Sequence, residues 1–305
     1  MFRPDKNDFA PRLGLVLDVF GNQKTVIRGG GGITYGPPQA IFYYSSAFVD
    51  PRLPFQTNFA PSDLPPGISS AFPFSQAFVL QVEANPSLLP KNFIPGRAIA
   101  DYNRADEYSG QWNFTVQQAL NKDLALQVGY VGSRSLKLFS TRSPNQFLPG
   151  AKTRPDLDWA DITFAEDAGR SSYHAMQVSL NQRLRHGLTL DAYFTWARTM
   201  SYYGADSTVT SDATVQDELN IAGSYGPKNG EKREQFTSVA GYMLPTPAAV
   251  TRSRLGRTLL AGWNLQAILS VGSGAPLNVL SGVDLVGNQR VTGQRPDYLA
   301  GVGSV

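Results

Sequence analysis

The sequence predicts an all-β fold, an antiparallel transmembrane β-barrel segment with about eight legible strands and long loops. Three observations predict it. Apolar and polar side chains alternate along eight stretches of the chain. These stretches run for about 10 to 13 residues, and a tilted membrane-spanning strand needs about 9–11. Short turns also alternate with long loops. The composition agrees, because charged residues make up only 17% and the 29 Gly and 21 Pro favour turns over long helices.

The strands come in four hairpins, each with side chains of period two and turn residues between its arms. Residues 109–134, SGQWNFTVQQALNKDLALQVGYVGSR, show the pattern best, with Trp112 and Phe114 in one register and Asn113 and Thr115 in the other. The predicted hairpins are 11–19 with 25–35, 109–120 with 124–134, 173–184 with 188–199, and 233–244 with 258–271.

Three long connections join the hairpins, at 36–106, 137–172 and 200–232, whereas the turns within the hairpins are short or, at 245–257, moderate. Loops of this length are uncommon in compact soluble domains. Bacterial barrels carry short periplasmic turns and longer extracellular loops. On that reading, Arg252, Arg254 and Arg257 in the fourth turn face the periplasm.

The two registers predict two different surroundings. Apolar side chains should face lipid and polar side chains a water-filled lumen, where they would be hydrated, contact a plug or line a ligand path. Tyr and Trp near strand ends on the apolar side predict membrane girdles. The girdle candidates are Trp112, Tyr130, Trp196 and Trp263. The lumen-facing candidates are Arg12, Arg28, Asn113, Gln117, Gln127, Gln177, Asn181, Arg183, Asp191, Asn264 and Gln266.

A large soluble β-sandwich or propeller is the alternative fold. It explains the alternation, but it explains neither the strand length nor the loop asymmetry. It predicts that Trp112, Phe114, Leu190, Phe194 and Leu265 are buried together between two stacked layers.

Composition and motifs argue against several functions. The chain has no cysteine and only two histidines, His174 at a strand start and His186 in a turn. It therefore lacks disulfides, thiolate sites, a zinc-binding HExxH pair and a nucleophile elbow, so we expect neither an enzyme nor a bound cofactor. A net charge of +3 spread along the chain predicts no nucleic-acid binding.

The ends and hydropathy of the chain also carry expectations. No apolar run approaches the ~18 residues of a membrane helix. Met1–Lys6 has no signal-peptide pattern, which predicts either a cytosolic protein or a piece of a longer one.

Three loop or turn features have a functional and a plain interpretation. The run Arg28–Gly32, RGGGG, lacks the helix that a phosphate loop needs, so small strand residues that allow a bend or close packing are favoured. Acidic sets in the long loops could hold calcium or be solvated, and solvation is favoured; they are Asp156, Asp158 and Asp161, and Asp206, Asp212, Asp217 and Glu218. Aromatic residues of the first loop could stack on a ligand or pack the loop on itself; the ligand candidates are Phe42, Tyr43, Tyr44 and Phe55.

Five blocks of the sequence, in order, resemble the barrel of TonB-dependent outer-membrane receptors, and more narrowly the Oar-like family that carries a carboxypeptidase-regulatory-like domain. The blocks are NDFAPRLGLVLDVFGNQKTVIRGGGGITYG, QWNFTVQQAL, LQVGYVGSR, SYHAMQVSLNQRLRHGLTLDAYFTWARTM and LLAGWNLQAILSVGSGAPLNVLSG. The resemblance covers nearly all the regular segments and little of the long loops.

The resemblance implies residues 1–305 are a partial barrel of the 22-stranded type, located in the outer membrane. It implies contacts with outer-membrane lipid, a plug domain, the TonB complex and a small nutrient. The nutrient classes are siderophores, cofactors, oligosaccharides and peptides. Departures from the family pattern predict an internal fragment: the plug, the regulatory-like domain and the TonB box are absent, and KNGEKREQ (residues 228–235) replaces an Asp-Arg-His-type pattern. A structural or adhesive surface protein without energised transport, or a soluble β-sandwich binding protein, remains the alternative function.

Overall fold

The computed structural model describes residues 5–36, 97–103, 105–159, 162–202, 215–228, 230–276, 279–289 and 293–296. Within these ranges the chain forms a single sheet of ten strands. The strands are β1 (Arg12–Asp18), β2 (Thr25–Tyr35), β3 (Arg97–Ala100), β4 (Tyr108–Ala119), β5 (Leu124–Arg142), β6 (Ile162–Arg185), β7 (Leu188–Ser201), β8 (Gly226–Pro227), β9 (Glu234–Met243) and β10 (Asn264–Gly272). Two short helices, α1 (Ala248–Thr251) and α2 (Arg254–Leu260), and a 3-10 turn at Ile221–Ser224 complete the regular structure.

Eight of the strands form an antiparallel meander in the order β1-β2-β4-β5-β6-β7-β9-β10. The two short strands lie off this path, with β3 parallel to the start of β6 and β8 paired with the end of β7. Among the described residues, β1 and β10 pair on one side only, so the sheet is open. The predicted all-β, antiparallel fold class is confirmed.

Three of the four predicted turns are tight, and their residue types explain why. His186 and Gly187 both adopt positive φ, at 51° and 84°, as a two-residue hairpin turn requires. In the β4–β5 turn, the Asn121 side-chain oxygen accepts from the backbone N–H groups of Asp123 and Leu124, at 2.8 and 2.9 Å. These turns lie where the strands end on one side, which we call the turn end. The long connections join the opposite ends of the strands, which we call the loop end.

The β9–β10 connection differs from the prediction, because it contains both helices. Ser253 caps α2 by accepting from the N–H of Gly256 at 2.8 Å, and α2 runs to Leu260. The predicted strand from Thr258 was therefore wrong at its start, and β10 begins at Asn264. The consecutive leucines of α2 gave a strand-like apolar run, since short apolar runs do not distinguish the two structures.

Strands β5 and β6 are longer than predicted. Residues 137–142 and 162–172 continue these strands with 19 and 24 residues in all, so the predicted loop 137–172 shortens to 143–161. The pairing shifts between Leu136 and Leu138, and Lys137 has a positive φ of 57°, which marks a bulge. The bulge interrupts the period-two pattern, and that is why the sequence indicated a loop here. Because β6 already begins at Ile162, His174 lies in the interior of this strand and not at its start, as predicted from the sequence.

The sheet is one layer, and its few buried apolar side chains gather toward the loop end: Phe139, Ala165, Ala175, Tyr202 and Val215. Trp112, Phe114 and Leu265 remain 37%, 51% and 55% exposed, and Leu190 and Phe194 are half-buried. The two-layer sandwich was therefore wrong. No helix in the described part of the chain is long and apolar enough to cross a bilayer.

Candidate functional site

One face of the sheet, which we call the outward face, carries an apolar row that crosses all eight meander strands. Directly paired residues of neighbouring strands lie on the same face of a sheet. From the pairing, the row is Leu17, Ile27, Val116, Val128, Val178, Phe194, Phe236 and Val271. In β7 the outward apolar residues run from Leu188 to Trp196, about 27 Å along the strand. At the usual tilt this spans most of the ~25 Å apolar band of a membrane barrel.

Aromatic side chains frame this band at both edges. Toward the loop end, Phe114, Tyr130, Met176 and Trp196 form one paired row, and Trp112 lies on the next row. Toward the turn end, Tyr242 and Trp263 lie at the other margin, with Trp263 57% exposed. The four predicted girdle residues therefore all lie on the outward face, three at the loop-end margin and Trp263 at the turn-end margin.

The loop-end margin is tightly built around Gly132. The ring of Trp112 lies across Gly132, so that a Cβ there would fall 2.7 Å from the indole Cζ2. Trp112 also approaches His174, with ring centroids 6.2 Å apart. The Tyr130 hydroxyl and the His174 Nδ1 share a hydrogen bond of 2.7 Å. The margin is thus an aromatic cluster with polar tips, the composition that suits a lipid headgroup layer.

The opposite face, which we call the inward face, holds ten of the eleven predicted lumen-facing residues. The pairing registers place these ten there together: Arg12, Arg28, Asn113, Gln117, Gln127, Gln177, Asn181, Asp191, Asn264 and Gln266. The eleventh, Arg183, lies at the register shift between Gln182 and Arg185, where no pairing assigns it to a face. One paired row, a single residue away from the apolar row, reads Asp18, Val26, Gln117, Gln127, Ser179, Tyr193, Thr237 and Ser270. This face is a largely polar wall, interrupted by the apolar residues Val16, Val26 and Val131 and the Val239–Ile268 pair.

Hydrogen bonds between neighbouring strands tie parts of this wall together. The Arg28 guanidinium donates to the Gln117 side chain at 2.7 Å. The Asn181 amide donates to the Asp191 carboxylate at 2.8 Å and to the Tyr193 hydroxyl at 3.4 Å. These side chains are exposed, so water competes for each bond and the wall can exchange partners with a passing solute.

A cavity of about 460 Å³ opens on the inward face near the loop end. It is lined by Tyr173, Thr195, Glu231, Lys232, Gln235 and Ser270, among others. Glu231 is fixed there by accepting from the Thr199 hydroxyl and pairing with Lys228 at 3.7 Å. The sequence did not predict this cavity. The charged segment KNGEKREQ, residues 228–235, contributes lining residues to the cavity. In the sequence this segment stands out only because it differs from the Asp-Arg-His-type pattern of the resembled family.

At the loop end, the described loop segments are joined to one another by hydrogen bonds of amide and carboxylate side chains, several of them buried. Gln146 donates to Asp217 at 2.6 Å, and Glu218 accepts from the N–H of Ser143. Asn288 and Gln294, from the segment after β10, both donate to the Gln216 carbonyl, at 3.2 and 3.1 Å. Three loops that are distant in sequence therefore form one polar cluster, for which single-residue patterns carry no signal.

Three carboxylates of the acidic sets, those of Asp156, Asp217 and Glu218, accept hydrogen bonds from the protein. Asp217 and Glu218 accept the hydrogen bonds just given, and Asp156 accepts from the N–H of Asp158 at 3.0 Å. Asp161, Asp206 and Asp212 lie outside the described residues, as do the ligand-loop candidates Phe42, Tyr43, Tyr44 and Phe55. Both the calcium sites and the ligand loop stay predictions.

A different acidic group, unpredicted, lies at the loop end where residues before β1 meet the start of β4. The carboxylates of Asp5, Asp8 and Asp106 come within 4.8 Å of one another, which suits a hard cation. The backbone N–H of Asp106 donates to Asp5 and lowers the pKa of that carboxyl. Partial desolvation raises the pKa of Asp8, and a hydrogen bond and charge from Asp106 raise it further. Asp8 therefore takes up a proton before Asp5 as the pH falls.

The glycine run of β2 lies within a continuous strand, which excludes the phosphate-loop interpretation. Gly29–Gly32 pair with β1 on one side and β4 on the other. A Cβ at Gly32 would come within 2.9 Å of the Pro11 carbonyl oxygen. Close packing against β1 explains this glycine, as the sequence predicted.

One protein family and several solved structures resemble this chain. The model of the outer membrane beta barrel domain family matches residues 1–305. No curated protein matches the chain. Three solved structures are similar in fold. They are the outer membrane transporter YddB from Escherichia coli (TM-score 0.46, 13% identity, 76% of this chain and 26% of that one), the alcaligin outer membrane receptor FauA from Bordetella pertussis (0.41, 14%, 88% and 30%), and the FrpB iron transporter from Neisseria meningitidis (0.41, 10%, 78% and 25%).

The chain spans only about a quarter to three tenths of the length of these transporters and receptors. The family match covers the whole chain, and it agrees with the apolar outward face and the polar inward face. This protein therefore belongs to the outer membrane beta barrel domain family and is located in the outer membrane.

Proposed function

We propose that this chain forms part of the barrel wall of an Oar-like receptor that imports a scarce nutrient with energy from TonB. The observation that carries the proposal is the two-faced sheet, with an unbroken apolar row one residue away from a polar wall. In an outer-membrane barrel the polar face lines the water-filled interior, and the apolar face meets lipid. We propose transport and not catalysis, with the wall as its path.

The chemistry of the wall supports the passage of a polar solute. Around its middle the inward face presents amides and hydroxyls, including Gln117, Gln127, Ser179 and Thr237, with charges toward its margins. Uncharged donors and acceptors can replace a solute's hydration without binding it tightly. The same groups would form hydrogen bonds with a plug domain.

The loop-end cavity supports recognition of a small polar ligand. It combines one carboxylate, one ammonium group and the hydroxyls of Tyr173, Thr195 and Ser270. Such a mixture suits an oligosaccharide, a peptide, a siderophore or a cofactor. The aromatic residues of the first loop, among them Phe42 and Tyr43, would add stacking surfaces.

The open edges support a wider barrel of the 22-stranded type. Unpaired backbone groups on β1 and β10 would each cost several kcal/mol in hydrocarbon, so an edge in lipid must find a partner. We propose that further strands continue the meander on both sides and enclose the plug, and that these eight strands are an internal fragment of the receptor.

Uptake measurements test this function. Cells that lack the gene should lose growth on one class of limiting nutrient, and re-expression should restore it. Uptake of that nutrient should stop when TonB is removed or the proton gradient is collapsed. Uptake that persists without TonB would contradict energised transport.

A structural or adhesive surface protein is the second candidate, favoured by the knit loop cluster of Gln146, Glu218 and Gln294. A stable loop platform would suit display. Loss of surface adhesion with unchanged uptake of all four nutrient classes in the deletion strain would support this candidate over transport.

A further inference from the structure

The β9–β10 connection is far longer than hairpin closure requires. It occupies residues 244–263, whereas the β6–β7 turn needs only His186 and Gly187. Two residues are enough to reverse a ladder, so the two helices in the longer connection are not explained by the hairpin itself. Neither the barrel wall nor the inward path uses them.

Helix α2 presents large apolar side chains to its surroundings. Leu255 is 74% exposed, and Leu259 and Leu260 are each 59% exposed. At about 100° per residue the three leucines of α2 span an arc of about 140°, and Thr258 lies about 130° from the middle of that arc, on the flank that it shares with Arg254. Exposure of this size on three neighbouring leucines is expensive in water and marks a contact surface.

This apolar surface is continuous with the outward face. The Trp263 indole N–H donates to the Leu259 carbonyl at 3.0 Å, which fixes the end of α2 against the turn-end girdle. The Leu244 N–H donates to the Trp263 carbonyl at 2.9 Å and extends the β9–β10 ladder to this level. We call this surface the turn-end patch; its residues are Tyr242, Leu244, Leu255, Leu259, Leu260 and Trp263.

Positive charge borders the turn-end patch. Arg252 and Arg254 are exposed, and within the described residues no hydrogen bond or ion pair engages their guanidinium groups. Arg257 adds a third positive charge one turn further along α2. Guanidinium groups bind phosphate oxygens in a bidentate way, and basic segments beside a membrane are attracted to anionic lipid.

We propose that α2 lies in the membrane interface at the turn end and binds anionic phospholipid. Leu255 and Leu259 enter the acyl-chain boundary next to Trp263, and Arg252 and Arg254 hold the lipid phosphates. An amphipathic segment with leucines on one side and arginines beside them is the kind that lies in the interface plane. The contact fixes the depth of the β9–β10 hairpin, whose outer strand has a free edge in this structure.

Site-specific labelling tests the position of the helix. The chain has no cysteine, so a single Cys at Leu255, Leu259 or Thr258 can carry an environment-sensitive dye. All three side chains are exposed, so none of the substitutions leaves a cavity; T258C also removes the hydrogen bond from the Thr258 hydroxyl to the Arg254 carbonyl. In vesicles of phosphatidylethanolamine and phosphatidylglycerol, brominated acyl chains should quench L255C and L259C several-fold more than T258C. Equal, water-like signals at the three positions would overturn the proposal.

The choice of lipid tests the role of the arginines. Replacing phosphatidylglycerol by phosphatidylcholine, or making R252Q/R254Q, should reduce quenching at L259C, by up to about fivefold per arginine lost from an anionic surface. R183Q/R185Q, which removes two charges at the same end of the sheet, should leave the signal unchanged. No effect of R252Q/R254Q, or an equal effect of the control pair, would overturn the assignment of anionic lipid.

A second copy of this chain is the competing occupant of the turn-end patch. In that case the dye at L259C would be protected from lipid quenching, and the protection would increase with the protein-to-lipid ratio. That result would overturn the lipid proposal.

Discussion

Gln127 and Val128 are neighbours in β5, yet they belong to opposite environments. Val128 lies in a row of eight apolar side chains, and Gln127 lies in a row made mostly of amides and hydroxyls. Because side chains alternate along a strand, one residue of displacement changes the solvent completely. The outward face therefore carries side chains that keep water out, and the inward face carries side chains that can exchange hydrogen bonds with water or a solute. Substitutions paired across this boundary test that difference.

The largest difference is expected for arginine substitutions at this pair of positions. Val128→Arg puts a charge near the middle of the apolar band and should lower the free energy of unfolding in lipid by about 2–4 kcal/mol. Gln127→Arg should change it by less than about 0.5 kcal/mol, because the lumen hydrates the charge. Equilibrium unfolding in vesicles measures both, and equal effects would contradict the assignment of the two faces.

A methyl group added on the outward face sharpens the comparison at the loop-end margin. Gly132→Ala forces the Trp112 ring away and should cost about 1–3 kcal/mol of unfolding free energy. Gly110→Ala, on the same face of β4, is the matched control, since its Cβ would have only the Arg134 carbonyl oxygen nearby, at 3.9 Å.

A double variant checks the cause of the Gly132 effect. If the indole is responsible, Gly132→Ala should cost much less in a Trp112→Ala background. A cost that is unchanged by the loss of Trp112 would show that backbone freedom at Gly132, and not the ring above it, is the reason for the glycine.

Two similar hydrogen bonds, one on each face, should differ in strength. Tyr130→Phe leaves the His174 Nδ1 without its 2.7 Å partner at the membrane margin and should cost about 1–2 kcal/mol. Asn181→Ala removes the 2.8 Å bond to Asp191 on the wet face and should cost about 0.5 kcal/mol, because water replaces it. Denaturation in vesicles ranks the two variants, and the reverse order would contradict a wet inward face.

The smallest effect is expected at an exception to the pattern. Val16 is apolar but lies on the inward face, where it is 67% exposed. Val16→Thr should therefore leave the unfolding free energy within about 0.5 kcal/mol of the original value. Leu17→Thr, one residue away on the outward face, should be clearly worse in the same measurement.

The sequence predicted the strands correctly wherever one face of the sheet meets lipid and the other meets water, because apolar and polar side chains must then alternate along the strand. The bounds of β2, β4 and β7 came within a few residues, and ten of the eleven inward candidates share a face, because a side chain's register follows from period two alone. Prediction failed above the membrane, where β5 and β6 continue past Lys137. There both faces meet protein or water, so nothing forces alternate residues to differ. The prediction also failed at Leu259 and Leu260, which were assigned to a strand but lie in helix α2.

The cavity and the loop cluster could not be predicted for a different reason. Glu231 meets Thr199, and Gln294 meets Gln216, through contacts between segments that are distant in the chain. Such contacts depend on how loops pack, and a single sequence carries no periodic signal of that packing. The charged segment at 228–235 showed that something was unusual there, but not what it enclosed.

The extra length of the β5–β6 hairpin carries it well beyond the apolar band at the loop end. From Ile162 to Tyr173, β6 adds about 40 Å of strand beyond the loop-end margin, or roughly 30 Å of height at the usual tilt. A hairpin of this height would stand clear of the headgroup layer, so water would surround both of its faces there, and its extended backbone would depend on its own ladder of hydrogen bonds and not on the membrane for order.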